Sequence, residues 1–322
     1  MINVILWALT LFVAITTALP LTNSVRWWIR MWDFPRLHLA ALALFIILLA
    51  VPFSIAFKPV LILIALISAA YQIFRIFPYM PLARPEVKVV ETSPETLTVS
   101  LLAANVLMEN ARHGDLIALI EREDPDVVFL METDRVWHDA LLAGLERYST
   151  IKTHLSDNHY GLIFATRLKA REVDLKWPSD DDTPALKAIL ADSEGREFNF
   201  IGLHPRPPVP GNDTATRDRQ IKNAALMTSS ADRPTICMGD FNDAAWSWTT
   251  RRFKKYGNFL EPRVGRGLIS SFHAQYSFIR LPIDQLFVTK DVGLVAFERL
   301  EEFGSDHFPI IATVTFDQTT LG

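Results

Sequence analysis

The 322-residue sequence has little cysteine, little charge in its first quarter, and no basic excess in the remainder. The single cysteine, Cys237, excludes an intrachain disulfide. That absence is compatible with either side of a bacterial-type inner membrane and does not fix the redox compartment. Cys237 lies in the apolar run Pro234-Thr235-Ile236-Cys237-Met238 and reads as a buried strand residue. Residues 1–79 hold five basic residues and one acidic. Of the chain's 32 Lys+Arg and 36 Asp+Glu, this leaves 27 and 35 beyond residue 79, a net charge of −8. A protein that grips duplex DNA usually carries a basic footprint, and this part of the chain has none overall. The local cluster Arg251, Arg252, Lys254 and Lys255 could still serve, although a solvated helix face is the favoured reading. No internal repeat is evident.

What the first quarter does contain is apolar length. Residues 2–19, 38–57 and 59–74 carry no Asp, Glu, Lys or Arg. Each is about the length needed to cross a bilayer core as a helix. A buried helical core is the competing explanation, but three such stretches in 80 residues leave too little polar surface to cover them. The first stretch lacks a basic leader and is followed by two more, so a retained anchor is favoured over a cleaved signal peptide. Three spans are expected, with residues 57–59 as a tight hairpin between the second and third. Trp27, Trp28 and Trp32 stand among Arg26, Arg30 and Arg36, a combination that marks a membrane–water interface. Arg75, Arg84 and Lys88 follow the third span. An odd number of spans puts both basic segments on one side. The positive-inside rule then places them and the C-terminal domain in the cytoplasm, in a multi-pass protein of the inner or plasma membrane. The spans carry no acidic residue, which argues against transport.

Residues 78–95 form a proline-rich linker, expected to be extended, and residues 96–322 suffice for one α/β domain. Strands are expected over residues 97–104, 126–131, 160–166, 185–191, 198–203, 235–238, 283–288 and 310–316. Helices are expected over 115–122, 133–146 (with Thr133 as N-cap) and 216–227. Such alternation implies sheets covered by helices, and periodicity alone does not separate two sheets from one. A second set of features lies at the strand ends. They are Asn105, Glu132, His204, the run Gly239-Asp240-Phe241-Asn242, Asp284 within Pro282-Ile283-Asp284, and the run Gly304-Ser305-Asp306-His307-Phe308-Pro309. Glu132 closes the apolar run Val127–Met131, and a carboxylate there is costly unless paired or metal-bound. Asp240 and Asn242 are two apart and share a strand face, whereas Asp306 and His307 point to opposite sides. Carboxylates, carboxamides and imidazoles together suit a hard divalent cation and a phosphate ester.

In motif order from about residue 97 to 316, the chain resembles the endonuclease/exonuclease/phosphatase superfamily. That superfamily includes DNase I-like nucleases, neutral sphingomyelinases and inositol polyphosphate 5-phosphatases. Gly-Asp-Phe-Asn and Ser-Asp-His-Phe-Pro carry the resemblance as a pair. It implies a DNase I-like four-layer sandwich of two mixed β-sheets flanked by helices, here preceded by an N-terminal transmembrane helical segment. It implies Glu132 as the principal magnesium ligand with Asn105 and Asp306 nearby, manganese being able to substitute. It also implies a catalytic set of His204, Asp240, Asn242, Asp284 and His307. Asp284 would orient His307, which is the expected base, with Asp240 as the other candidate for that role, and His204 would be the acid on the leaving group.

The expected activity is that of a membrane-anchored, magnesium-dependent phosphodiesterase or endonuclease, which hydrolyses phosphoester bonds by in-line attack of water. The partners expected are a phosphodiester substrate, nucleic acid or phospholipid, and the bilayer; no protein partner is inferable. The alternatives are a sphingomyelinase-like phospholipid phosphodiesterase and an inactive membrane scaffold. Against the lipid reading, no separate hydrophobic loop stands out, Trp246 and Trp248 being the nearest candidates.

Overall fold

A computed structural model describes residues 1–93, 96–179, 182–211, 213–228 and 233–316. Residues 94 and 95 of the expected linker, and 317–322 at the end of the expected domain, lie outside it. The first 80 residues are helical: α1 (Ile2–Ala18), α2 (Trp27–Arg30), α3 (Arg36–Ala50) and α4 (Lys58–Ile76). Two helical segments are long and apolar enough to cross a membrane, Ile2–Thr22 and Lys58–Tyr79, each with mean hydropathy 2.2. A third is available only as the pair Trp27–Asp33 and Arg36–Ala50, which meet at 73°. The middle span is therefore shorter than residues 38–57, because α3 stops at Ala50. At 1.5 Å per residue its 15 residues reach roughly 22 Å, short of a bilayer core of about 30 Å. The connection to α4 is also wider than a tight hairpin at residues 57–59. It occupies 51–57 and ends at Phe57 in the left-handed region, φ 54°.

Side-chain bonds fix which helix ends lie together. The Trp7 indole N–H donates to the Ala56 carbonyl at 3.0 Å, so the start of α1 meets the α3–α4 loop. At the other end Gln72 Nε2 donates to Thr17 Oγ1 at 2.9 Å, and Arg36 Nη1 donates to Gln72 Oε1 at 2.8 Å. This second end abuts the sheets: the Tyr79 hydroxyl donates to the Ala245 carbonyl at 2.6 Å, and Arg75 donates to the Trp246 carbonyl.

The arginines expected at a membrane surface are partly turned inward. Arg30 is 2% exposed and faces Asp218 at 3.6 Å, Asp243 at 3.9 Å and Asp33 at 4.0 Å. Arg36 is fully buried against Asp33. Trp246 is buried and donates to the Asp33 carbonyl at 2.6 Å.

The remainder is two sheets between helices. The first has strand order β10-β11-β1-β2-β4-β3 and the second β5-β6-β7-β8-β9. Their ranges are β1 (Val99–Asn105), β2 (Val127–Met131), β3 (Thr150–His154), β4 (Leu162–Thr166), β5 (Lys169–Lys176), β6 (Ala185–Ala191), β7 (Glu197–Gly202), β8 (Thr235–Asp240), β9 (Asp284–Val288), β10 (Gly293–Arg299) and β11 (Ile310–Thr315). Both sheets are mixed: β1 pairs parallel with β2 and antiparallel with β11, while β8 pairs parallel with β7 and antiparallel with β9.

Period-two alternation sorts the side chains. Leu101, Ala103 and Phe129 point into the gap between sheets and meet Phe200, Met238 and Leu286 there. Leu102, Ala104 and Val128 point outward onto α5 (His113–Glu123) and α6 (Arg135–Leu141). On the far face Ile201, Cys237 and Phe287 pack against α7 (Ala215–Leu226) and α8 (Trp248–Gly257). The four-layer sandwich is thus as expected. Thr133 is not a cap: α6 starts two residues later, and Asp134 Oδ1 accepts from the Trp137 N–H at 2.8 Å. Residues 78–93 are laid onto the sandwich. The Val90 N–H bonds the Leu294 carbonyl at 2.8 Å, and Val87 enters the core.

Candidate active site

The same alternation that builds the core builds the site. Asn105 ends β1 two residues beyond Ala103, and Asp240 ends β8 two beyond Met238. Asp284 begins β9 two before Leu286, and it is the register partner of Asp240. All three therefore project into the inter-sheet gap at one end of the sandwich. A Cβ on Gly239, at φ +144°, would lie 2.1 Å from the Leu203 carbonyl oxygen. The chain carrying His204 can approach β8 that closely only because position 239 is glycine. Glu132 and Asn242 follow their strands at φ 62° and 49°, conformations that are strained for non-glycine residues.

Asp240 lies at the centre. The His307 Nε2 is 3.6 Å from its Oδ2 and the His204 Nε2 is 3.7 Å from the same atom. Asn105 Nδ2 donates to Asp240 Oδ2 at 3.2 Å and to Glu132 Oε1 at 2.7 Å. The Asn242 N–H donates to Asp240 Oδ1 at 2.7 Å. The His307 Nδ1–H donates to Asp284 Oδ2 at 2.8 Å. Asn242, Asp306, Glu132, Asp240 and His307 all line one cavity of about 500 Å³. The structure thus brings the eight expected residues to one end of the sheets, with His204 held by its contacts to Asp240 and Glu132.

Burial and neighbours set the protonation states. Burial lowers the His307 pKa, but Asp284, Asp240 and Asp306 outweigh it and lift it from 6.5 to about 10. Burial raises Asp240, which Asp284 reinforces and His307 opposes, leaving its carboxyl at about 7. Burial lowers His204, against the pull of Glu132, so its imidazole is neutral near pH 7.

Two details bear on the expected ligand set. Asn105 turns its amide nitrogen towards Glu132 and Asp240, while its Oδ1 accepts from the Leu107 N–H at 3.0 Å. Its amide nitrogen bridges the two carboxylates. Asp240, Asp284 and His307 have candidate ligand atoms all within 4.8 Å of one another. His307 donates its Nδ1–H to Asp284, and the carboxylates around it favour its imidazolium form. Glu132 and Asp306 also line the cavity, and carboxylate oxygens suit a hard divalent cation.

Other residues were not read from the sequence. His159, at φ 66°, places Nδ1 3.1 Å from Glu132 Oε2. The Ser305 hydroxyl donates to the Asn105 carbonyl at 2.8 Å and accepts from the His307 N–H at 3.0 Å. The Ser271 hydroxyl accepts from the Asp284 N–H at 3.0 Å. The position of Ser305 inside the Ser-Asp-His run was the available signal; a lone histidine or serine on a loop gives none.

The family profile described as "Endonuclease/Exonuclease/phosphatase family" matches residues 102–307. The chain belongs to this family. The match runs from β1 to His307 and contains every candidate residue. A comparison with curated protein sequences finds no match. Among solved structures, D. rerio TDP2 complexed with a single-stranded DNA product superimposes with TM-score 0.57 at 19% identity, covering 68% of this chain and 99% of that one. A mannosyl-6-phosphatase of Bacteroides thetaiotaomicron gives 0.56 at 17% identity, covering 68% and 100%. A family protein of Bacteroides vulgatus gives 0.55 at 17%, covering 68% and 99%. At these identities the likeness is one of fold. This family member has a phosphoesterase fold, a buried Asp240–Asp284–His307 cluster and two to three long apolar helices at its start.

Proposed function

We propose that the chain is a membrane-anchored, magnesium-dependent phosphodiesterase that cleaves its substrate by in-line attack of water, manganese being able to substitute. The observation that carries this reading is the Asp240 carboxylate, set between two imidazole Nε2 atoms and bridged through Asn105 to Glu132. Residues 1–77 would be the anchor, 78–95 the linker and 96–322 the catalytic domain. Glu132, with Asp306 and Asn105 nearby, would hold the cation. When bound there, a divalent cation would polarise a phosphoryl oxygen and offset charge on the leaving oxygen.

The protein side chains do the rest. Asp240, with its carboxyl at about 7, is matched to take a proton from water near neutral pH, whereas His307 already holds its proton. Asp240 is therefore assigned as base, in preference to His307. The His307 Nε2–H is aimed by the Asp284 bond and donates to a phosphoryl oxygen as charge builds there. Asn242 Nδ2 spends one hydrogen on the Pro205 carbonyl at 3.0 Å and has a second for the phosphoryl group. His204, neutral by burial, serves as a further donor and not as the acid on the leaving group. The water oxygen bonds phosphorus as the bond to the leaving oxygen breaks. The water proton passes to Asp240, and the leaving oxygen takes a proton from solvent.

The orientation proposed is a cytoplasmic catalytic domain. Arg26, Arg30, Arg36 and Arg75 stand at the helix ends that meet the sandwich, while Lys58 stands at the opposite ends. The intact set of polar groups disfavours an inactive scaffold. The test is hydrolysis of bis-p-nitrophenyl phosphate by the full chain in detergent. Activity is expected in magnesium or manganese and none in EDTA. In Glu132→Gln a higher magnesium concentration should be needed, with the metal-free melting temperature nearly unchanged, since glutamine still accepts from Asn105. Activity undiminished by chelation would rule out the metal-dependent reading.

A further inference from the structure

The cavity that holds the candidate catalytic groups has a second wall, made by the segment between α1 and α3. Met31, Phe34 and Pro35 line it together with Glu132, Asp240 and His307. Pro207, Pro208, Phe272, Leu281 and Ile283 complete an apolar rim, and no lysine or arginine is among the described lining residues. Residues 272–281 form the loop beside this rim. Its Phe278 carbonyl accepts from His38 Nε2, in the first turn of α3, at 2.5 Å. Tyr276 is 51% exposed and Phe278 69%. This is the separate hydrophobic loop that sequence reading did not find. Trp246, expected as its nearest candidate, is buried. Met31, in the inter-span segment itself, is 41% exposed.

These features share one consequence. The site's polar floor is joined, through Met31, Phe34 and the 272–281 loop, to the helix whose outer face carries exposed Leu44, Phe45 and Leu48. A polyanion entering this cavity would meet carboxylates and apolar groups, with the His307 imidazolium as the one cationic side chain among the described lining residues. An alkyl chain would find apolar surface already in place from the span to the reacting centre.

Resting on the hydrolase reading above, we propose that the substrate is a phosphodiester bearing a long apolar chain. It is drawn from the bilayer along the inter-span segment into the cavity, so that the membrane anchor itself sets specificity. Met31 and Phe34 would hold the chain next to the phosphate, with Tyr276 and Phe278 at the entrance. The occupant is thus a lipid phosphodiester, and a nucleic acid is the alternative that the test must exclude.

The test uses two substrates with the same reacting phosphorus, p-nitrophenyl hexadecyl phosphate and p-nitrophenyl methyl phosphate. Each is offered to the full chain in mixed micelles with magnesium, beside a fluorescent single-stranded oligonucleotide. The expected kcat/KM is on the order of a hundredfold higher for the hexadecyl ester, as burial of a few methylenes would give. The hexadecyl-to-methyl ratio should fall roughly tenfold in Phe34→Ser and in Phe278→Ser, the latter being an exposed position where folding is not at risk. Equal rates on both esters, a ratio unchanged in both variants, or preferred cleavage of the oligonucleotide would overturn the inference while leaving the hydrolase reading standing. No hydrolysis of any substrate in magnesium would overturn both.

Discussion

Replacing Asp284 by asparagine separates the orientation of His307 from its presence. The Asp284 side chain is 1% exposed, its Oδ2 is 2.8 Å from His307 Nδ1, and its Oδ1 has no partner among the described residues. The bond to the imidazolium is therefore the one side-chain hydrogen bond its carboxylate makes among the described residues. A buried charge-assisted hydrogen bond of this kind contributes about 1.5–3 kcal/mol, which is roughly one to two pKa units on the histidine. Asparagine removes the negative charge, so the protonated form loses support and the His307 pKa must fall from about 10. If the Nε2–H acts on the phosphoryl group, the same energy should appear as a loss of about ten- to a hundredfold in kcat, with KM little changed. The loss should be smaller than in His307→Ala, which removes the donor altogether. The assay is the pH–rate profile on bis-p-nitrophenyl phosphate at saturating magnesium. The alkaline limb should move down by roughly one to two units in Asp284→Asn. An unmoved alkaline limb together with wild-type kcat would show that Asp284 does not act through His307, and the assignment would be wrong.

Three further outcomes are expected. Arg30→Ala leaves Asp218, Asp243 and Asp33 with only Arg217 and Arg36 for company, and a broken buried pair costs about 3–5 kcal/mol. Because those two arginines remain, a loss near the lower figure is expected by denaturant unfolding in detergent, and a change below about 1 kcal/mol would show the pair to be dispensable. In EDTA, stability should fall as pH rises from 7 to 10. The folded-state pKa of His307 lies above its usual 6.5, so its contribution is complete below 6.5 and lost as pH passes about 10. The raised Asp240 carboxyl has the same sign, its contribution being lost as pH rises through about 7. A difference between wild type and His307→Asn that is flat over this range would contradict the ion-pair assignment. A reporter fused after Gly322 should read cytoplasmic; a reading from the opposite side would reject the proposed orientation.

The candidate cluster was legible because three of its members obey strand alternation. Asn105, Asp240 and Asp284 each sit two residues from a core residue of their own strand, so the pattern that signals the core also signals the site. Strands β3, β5 and β10 were not read, and all three lie at sheet edges. Edge strands such as Lys169–Lys176 are mostly half-exposed and carry charge, so no apolar run marks them. The partners of Arg30 and Arg36 were not legible for a different reason. Sequence shows that an arginine lies beside a span, but not that Asp218 and Asp243, about 200 residues later, come to meet it. The same holds for the cavity wall: Met31 and Phe34 belong to the helical anchor in sequence and to the site in space. Neither long-range contact leaves a local pattern.

The central claim is that Asp240 takes the proton from an attacking water beside a hard cation at the end of the two sheets. It is tested most directly by the magnesium-dependent rate of bis-p-nitrophenyl phosphate hydrolysis for wild type and Asp240→Asn, measured on the detergent-purified full chain. The account predicts hydrolysis by the wild type that EDTA abolishes and magnesium restores, and a loss in Asp240→Asn of roughly two to four orders of magnitude in kcat, as removal of a general base gives. Wild-type kcat in Asp240→Asn, or a rate indifferent to EDTA, would contradict it.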